Sequence, residues 1–365
     1  MLKLFQPYYQ DGSISYDMMV RGFISNYMGT QRILDWDSII VRILLYGRDS
    51  EHQKQLDFHY KLRACKDVED ALSQHLTDIF GVTFSDTSEY KVEQIVKVLK
   101  YNAIVQNLAP VDADNYKQSR VTDSYALQHI NRILELALSQ EKSAKALMEL
   151  FNELGADIRD ADIIRWYGTG ANYYFVSEGL CLPIIRTLLE KDIETEPAAV
   201  INRIEELMVK HSENGALSMM MDYAILVARF YETALGLGSL TLNTADEYVH
   251  RYQTDYYLTD QYYRQSTELY FKIDPTSELF DSIQKVKLSL DQNYSKLCNR
   301  INLEWTRCLK ETGGMASVHL LRQDDFYDEK IKPIQKKVAV IVSDALRYEI
   351  AQELIGELAK SRHIA

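Results

Sequence analysis

The sequence predicts a mainly α protein: a large multi-helix body followed by one buried β-strand and the helix that strand feeds. Three observations carry this. Apolar residues recur at helical spacing nearly everywhere, while glycine and proline are sparse, 15 and 6 of 365 residues. One continuous apolar run bounded by lysines, Lys336-Lys337-Val338-Ala339-Val340-Ile341-Val342, reads as a strand buried on both faces. Directly after it the periodicity switches to a helix through Ile350, Leu354 and Leu358.

A chain of this length exceeds the usual single domain. Four regions are expected: helical sub-domains over 1–110 and 111–240, a Tyr-rich helix with a long spine helix over 241–323, and a linker leading into the strand and helix over 324–365. A hydrophobic content of 46% with 26% charged residues is that of a soluble globular protein. No apolar run approaches a membrane span, and the N-terminus lacks the parts of a secretory signal. Cys65, Cys181, Cys298 and Cys308 are scattered, which fits a reducing cytoplasm and suggests neither a zinc ribbon nor a disulfide framework. The net charge of -12 argues against the whole surface binding nucleic acid and towards protein partners.

From Ile14 to Leu108 several helices are expected, separated by Asp11-Gly12-Ser13, Gly47-Arg48-Asp49-Ser50 and the stretch from Gly81 to Ser88. Val92, Ile95, Val96 and Leu99 make one face of the last. His52 and His59 could share a helix face, but no carboxylate pattern accompanies them and a metal site is not expected. Pro110 to Ser119 is polar and turn-rich, a plausible boundary. The next helix follows Thr122-Asp123-Ser124 through Leu127, Ile130, Leu134 and Leu138, and the group stops at Gly155. Gly168-Thr169-Gly170 lacks the preceding strand and third glycine of a dinucleotide fingerprint, so it reads as a turn between helices. Further helices run from Glu178 to Leu189, from Pro197 to Lys210 and from Ala216 to Leu235, closed by Gly236-Leu237-Gly238. Met219, Met220 and Met221 are apolar filler, since adjacent helical positions diverge.

Between Tyr248 and Tyr270 lie Tyr252, Tyr256, Tyr257, Tyr262 and Tyr263 with Arg251 and Arg264. Interleaved rings and guanidinium groups can stack bases. With Asp246, Glu247, Asp255 and Asp260 among them, tyrosines that bridge helices are the favoured reading. Asp274-Pro275 opens the spine helix, whose apolar stripe runs from Leu279 through Ile283, Val286, Leu290, Tyr294, Leu297, Ile301 and Trp305 to Cys308. Unbroken to Thr312 it would span about 55 Å at ~1.5 Å per residue, ended by Gly313-Gly314.

The strand places Asp344 at its carboxyl end, where open α/β sheets bind ligands. Ser343 or Asp344 as a simple helix N-cap is an equal alternative on local pattern. A haloacid-dehalogenase-type phosphatase would need a second Asp where Leu346 stands, and no glycine-rich phosphate loop follows the strand.

The segment Val340-Ile341-Val342-Ser343-Asp344-Ala345-Leu346-Arg347-Tyr348-Glu349 resembles the signature opening of the PglZ family, alkaline-phosphatase-superfamily proteins of the BREX bacteriophage-defence systems. Tyr256-Tyr257-Leu258-Thr259-Asp260-Gln261-Tyr262-Tyr263-Arg264 is similar to the helix those proteins carry ahead of the phosphatase-like domain, in the same order. The resemblance implies that the strand and helix open an alkaline-phosphatase-like α/β domain. It also implies that Asp344 is a ligand of a divalent metal, usually zinc, in a phosphatase or phosphodiesterase with a phosphoester or nucleic-acid substrate. Other BREX proteins are the implied partners. The Ser or Thr nucleophile and remaining Asp and His ligands follow this motif in the family, beyond Ala365, so this chain alone is expected to be inactive. Arg347, Tyr348 and Glu349 receive no chemical role. The alternative is a helical interaction scaffold that docks other defence subunits.

Overall fold

The computed structural model describes residues 14–45, 65–80, 88–210, 215–344 and 346–360. His52, His59 and most of the three expected breaks near residues 11, 47 and 81 lie outside them. The chain divides into two compact units, Met1–Leu180 and Cys181–Ala365.

The first unit contains α1 (Tyr16–Tyr27), α2 (Trp36–Leu45), α3 (Lys66–Phe80), α4 (Ser88–Val105), α5 (Ser124–Leu138), α6 (Glu141–Glu153) and α7 (Asp160–Tyr167). Side-chain caps set two of the starts. Ser15 accepts the Met18 N–H at 3.1 Å and Asp123 accepts that of Ala126 at 2.8 Å, each taking up one of the amides a helix N-terminus leaves unpaired. The apolar faces converge on one core in which Ile24, Ile39, Ile40, Ile79, Val96, Leu99 and Ile130 are fully out of water. Each such side chain contributes about 1.5–3 kcal/mol.

The polar segment 110–119 belongs to this unit and is stitched to α4. Asn102, fully buried, donates to Val98 O and Ser119 O and accepts from Val121 N. Arg120 donates to Val105 O and Leu108 O. Asp114, 2% exposed, accepts from the Tyr101 hydroxyl, from the Tyr167 hydroxyl at 2.7 Å and from Tyr116 N at 2.8 Å. Composition marks this stretch as turns; although most of it is exposed, Asp114 and the Ser119 carbonyl tie it to the buried Tyr101 and Asn102 of α4.

Gly155 follows α6 where the helix ends, and a Cβ there would lie 2.8 Å from Phe151 O and 2.9 Å from Lys100 Cδ. Lys100 has little room to yield, because its Nζ donates to Phe151 O and Gly155 O, which places a cation on the C-terminal carbonyls of α6. Gly155→Ala is therefore expected to lower stability by about 1–3 kcal/mol, read as an earlier urea midpoint. Gly168, at a φ of +79°, closes α7 with its N–H on Ile164 O, the helix-joining turn expected from sequence.

The division falls in the first turn of α8 (Glu178–Thr187). Beyond it come α9 (Pro197–Lys210), α10 (Gly215–Gly236), α11 (Ala245–Arg251), α12 (Tyr257–Tyr270), α13 (Phe280–Thr312) and α14 (Tyr348–Lys360). A π-helical turn, Tyr252–Tyr256, joins α11 to α12 without a break. α10 packs against both α9 and α12, with Met221, Tyr223, Ala224 and Phe230 buried and Met219 half-buried.

α13 is the expected spine, 33 residues or about 50 Å at ~1.5 Å per residue, ended by Gly313 at a φ of +97°. It starts later than Asp274-Pro275 suggests. The Asp274 carboxylate accepts both Thr276 N and Thr276 Oγ1 at 2.8 Å, closing a local turn before the helix begins at Phe280.

One expectation is overturned. No β-strand occurs among the described residues, and the run 338–342 is irregular. Val338, Val340, Ile341 and Val342 are 42, 48, 94 and 85% exposed. A strand exists only through the neighbours that pair its amides and carbonyls, and one apolar on both faces needs a layer on each side. No other described segment is a strand, so the apolar run has no sheet edge among the described residues to pair with.

Candidate functional site

The candidate site is built where the two sequence blocks that carry the resemblance meet. Asp344 lies in a turn after the irregular run and is exposed, with no hydrogen bond or ion pair to a described residue. It is neither sealed among apolar neighbours nor engaged as a cap of α14.

The residues just after it are held firmly. Tyr348 opens α14 and sets its ring edge-on to Tyr252 and Tyr257, with centroids 5.8 and 5.4 Å away. Its hydroxyl reaches Gln253 O at 3.4 Å. Glu349 is 1% exposed, with Arg347 Nε 3.1 Å from its Oε1. One turn on, Glu353 accepts from Arg264 Nη2 and from Gln265 Nε2, the latter at 3.0 Å. Arg347, Tyr348 and Glu349, which carry no chemical role on sequence grounds, thus cluster at the start of a docked helix.

The surface they dock on is itself braced. Asp260 Oδ2 accepts from the Tyr252 hydroxyl at 2.8 Å and its Oδ1 from the Tyr294 hydroxyl of α13 at 2.9 Å. The Tyr263 ring stacks on that of Tyr294, 3.8 Å between centroids and 8° from parallel. Lys287 lies over the rings of Tyr263 and Tyr270 and pairs with Asp291. Burial, then the bonded Asp260 carboxylate, holds the Tyr252 phenol above its ordinary pKa. Burial and the charge of Asp260 do the same to Tyr294. Both phenols therefore remain donors at neutral pH.

This arrangement is that of tyrosines bridging helices. Tyr256 is 2% exposed, and the rings of Tyr252 and Tyr263 are engaged by other tyrosines, so these three do not form a free stacking platform for bases. No sequence period signals the pairing of Arg264 with Glu353, 89 residues apart. The interleaving of charges with tyrosines near Asp260 is the only local hint.

Among the described residues no cluster of three or more His, Cys, Asp or Glu side chains could hold a metal ion. Among the described residues Asp344 alone does not make the divalent-metal centre that the resemblance implies. No described helix is long and apolar enough to cross a membrane. No protein-family model matches the chain, and neither a curated protein nor a solved structure is detectably similar to it.

Proposed function

We propose that this chain is the helical portion, with the opening apolar run and helix, of a PglZ-like metal-dependent phosphatase or phosphodiesterase of a BREX defence system. Its metal site, with zinc the favoured ion, would be completed by residues outside these 365. The observation that carries the reading is the state of the segment 338–358. Its apolar run is largely exposed with no strand partner among the described residues, its exposed Asp344 carboxylate has no hydrogen bond or ion pair to a described residue, and α14 leaves Leu354, Ile355 and Leu358 exposed at 47, 54 and 40%. An apolar run followed by a helix with an uncovered apolar edge has the chemistry of a βα unit that lacks its parallel sheet. A carboxylate at that junction stands where such sheets bind ligands.

Two outcomes test the reading together. The 365-residue chain should not hydrolyse a nitrophenyl phosphodiester, whereas the intact gene product should do so with zinc, and Asp344→Ala should abolish the turnover. Undiminished turnover by that variant would contradict the assignment.

A second reading, a helical scaffold docking other defence subunits, is favoured by the apolar side chains exposed before the motif, including Met315 at 68%, Leu320 and Leu321 at 48% and Ile334 at 46%. Co-elution with BREX proteins that survives Asp344→Ala, without any hydrolysis by the intact product, would select it.

A further inference from the structure

The way α14 is docked is the reverse of what stability alone selects. An amphipathic helix that serves only to complete a bundle turns its apolar stripe inward. Here the inward edge carries Glu349, which is buried, and Glu353, which is half-buried and bound by Arg264 and Gln265, while Leu354, Ile355 and Leu358 stay exposed. A half-buried carboxylate held by a guanidinium and an amide contributes little net stability, but it favours the one geometry in which both donors reach it.

We propose that Arg264 and Gln265, with Tyr252 braced by Asp260, form a clamp that grips α14 by its polar edge and so fixes where that helix begins, four residues after Asp344. These are positioning residues, and their functional meaning rests on the reading of Asp344 given above. The clamp itself stands on geometry.

It has three parts. Glu353 is gripped from two consecutive positions of α12, Arg264 and Gln265, so rotation of α14 about its axis breaks both bonds at once. Tyr348, four residues after Asp344, meets both Tyr252 and Tyr257 edge-on, which fixes where the helix begins. Tyr252 is in turn tied through Asp260 to Tyr294 on α13, so the clamp is referred to the longest helix of the unit. Tyr252 opens the π-helical turn Tyr252–Tyr256, an irregularity that costs helix stability and recurs at functional sites.

Hydrogen exchange on the full 365-residue chain tests this. Arg264→Glu and Glu353→Arg, each alone, should speed exchange of the amides from Ser343 to Lys360 by on the order of tenfold or more, because undocking replaces global by local opening. Exchange in α13 should stay unchanged. The charge-swapped double variant should return the segment to within about threefold of wild type, a rescue that pairing alone explains. Glu353→Gln, a milder change that serves if either reversal unfolds the unit, should move the same amides the same way by a smaller factor. Wild-type exchange in the single variants, or no recovery in the swap, would overturn the clamp. If the exchange behaves as stated while Asp344→Ala leaves the intact product's turnover intact, the clamp stands and the phosphoesterase reading falls.

Discussion

Asp114→Ala is expected to cost the first unit about 3–5 kcal/mol, the penalty for stranding donors that share one buried acceptor. The carboxylate is 2% exposed and takes the Tyr101 hydroxyl, the Tyr167 hydroxyl and the Tyr116 amide. Tyr101 is itself fully buried, so its hydroxyl has no water to turn to. Burial and then the bonded carboxylate hold the Tyr101 phenol above its ordinary pKa, which keeps it a donor. Asp114→Asn retains one acceptor oxygen and should cost about half as much. Urea unfolding followed by tryptophan emission from Trp36 and Trp166 measures both, and a cost below about 1 kcal/mol for alanine would mean that the segment 110–119 is not held by this carboxylate.

Acidification is expected to weaken the same unit through His75. Its imidazole stacks on Trp36 at 4.5 Å, meets His129 edge-on at 5.9 Å and has a buried Nε2 without a partner. Burial, then the neighbouring His129, pushes its pKa from 6.5 down to about 4. The folded state thus binds this proton less tightly than the unfolded chain. The full contribution is present above pH 6.5, declines as the pH falls towards 4 and is gone below it, about 3 kcal/mol in all. Asp17, Asp78 and Arg21 also act on His75, the two carboxylates favouring its protonation and the guanidinium opposing it. Asp37, which receives His129 at 2.7 Å, has a pKa raised by burial and returns some stability at the acid end. His75→Phe keeps the ring stack and removes the proton. Stability compared at pH 7 and pH 4.5 should therefore depend less on pH in the variant, and equal slopes would exclude His75 as the cause.

Much of the helical body is legible in the sequence because its signals are local. Asp123 caps α5 as its position suggests, Gly313 ends α13, and the stripe through Leu279, Ile283 and Leu290 is fully buried. What local signals cannot supply is a partner. The run 338–342 has the pattern of a strand, but a strand is a relation between segments, and no other described segment is a strand that could pair with it. The helix stripe through Ile350, Leu354 and Leu358 is likewise correct as a period and misleading as a statement of what is buried, since Leu354 and Leu358 face solvent and Glu349 does not. Asp344 is singled out in the sequence by the end of that apolar run and, as a metal ligand, only by resemblance. The side chains that steady its turn, Arg264, Gln265 and Tyr252, come from a block about 80 to 90 residues away and declare themselves only when the two segments are seen packed together.

The most direct measurement is anomalous diffraction at the zinc absorption edge from crystals of the intact gene product grown with zinc. The expected result is a zinc peak about 2.0–2.2 Å from a carboxylate oxygen of Asp344, with 338–342 paired as a strand beside it. A zinc peak coordinated without Asp344, or that carboxylate still facing bulk water, would contradict the assignment.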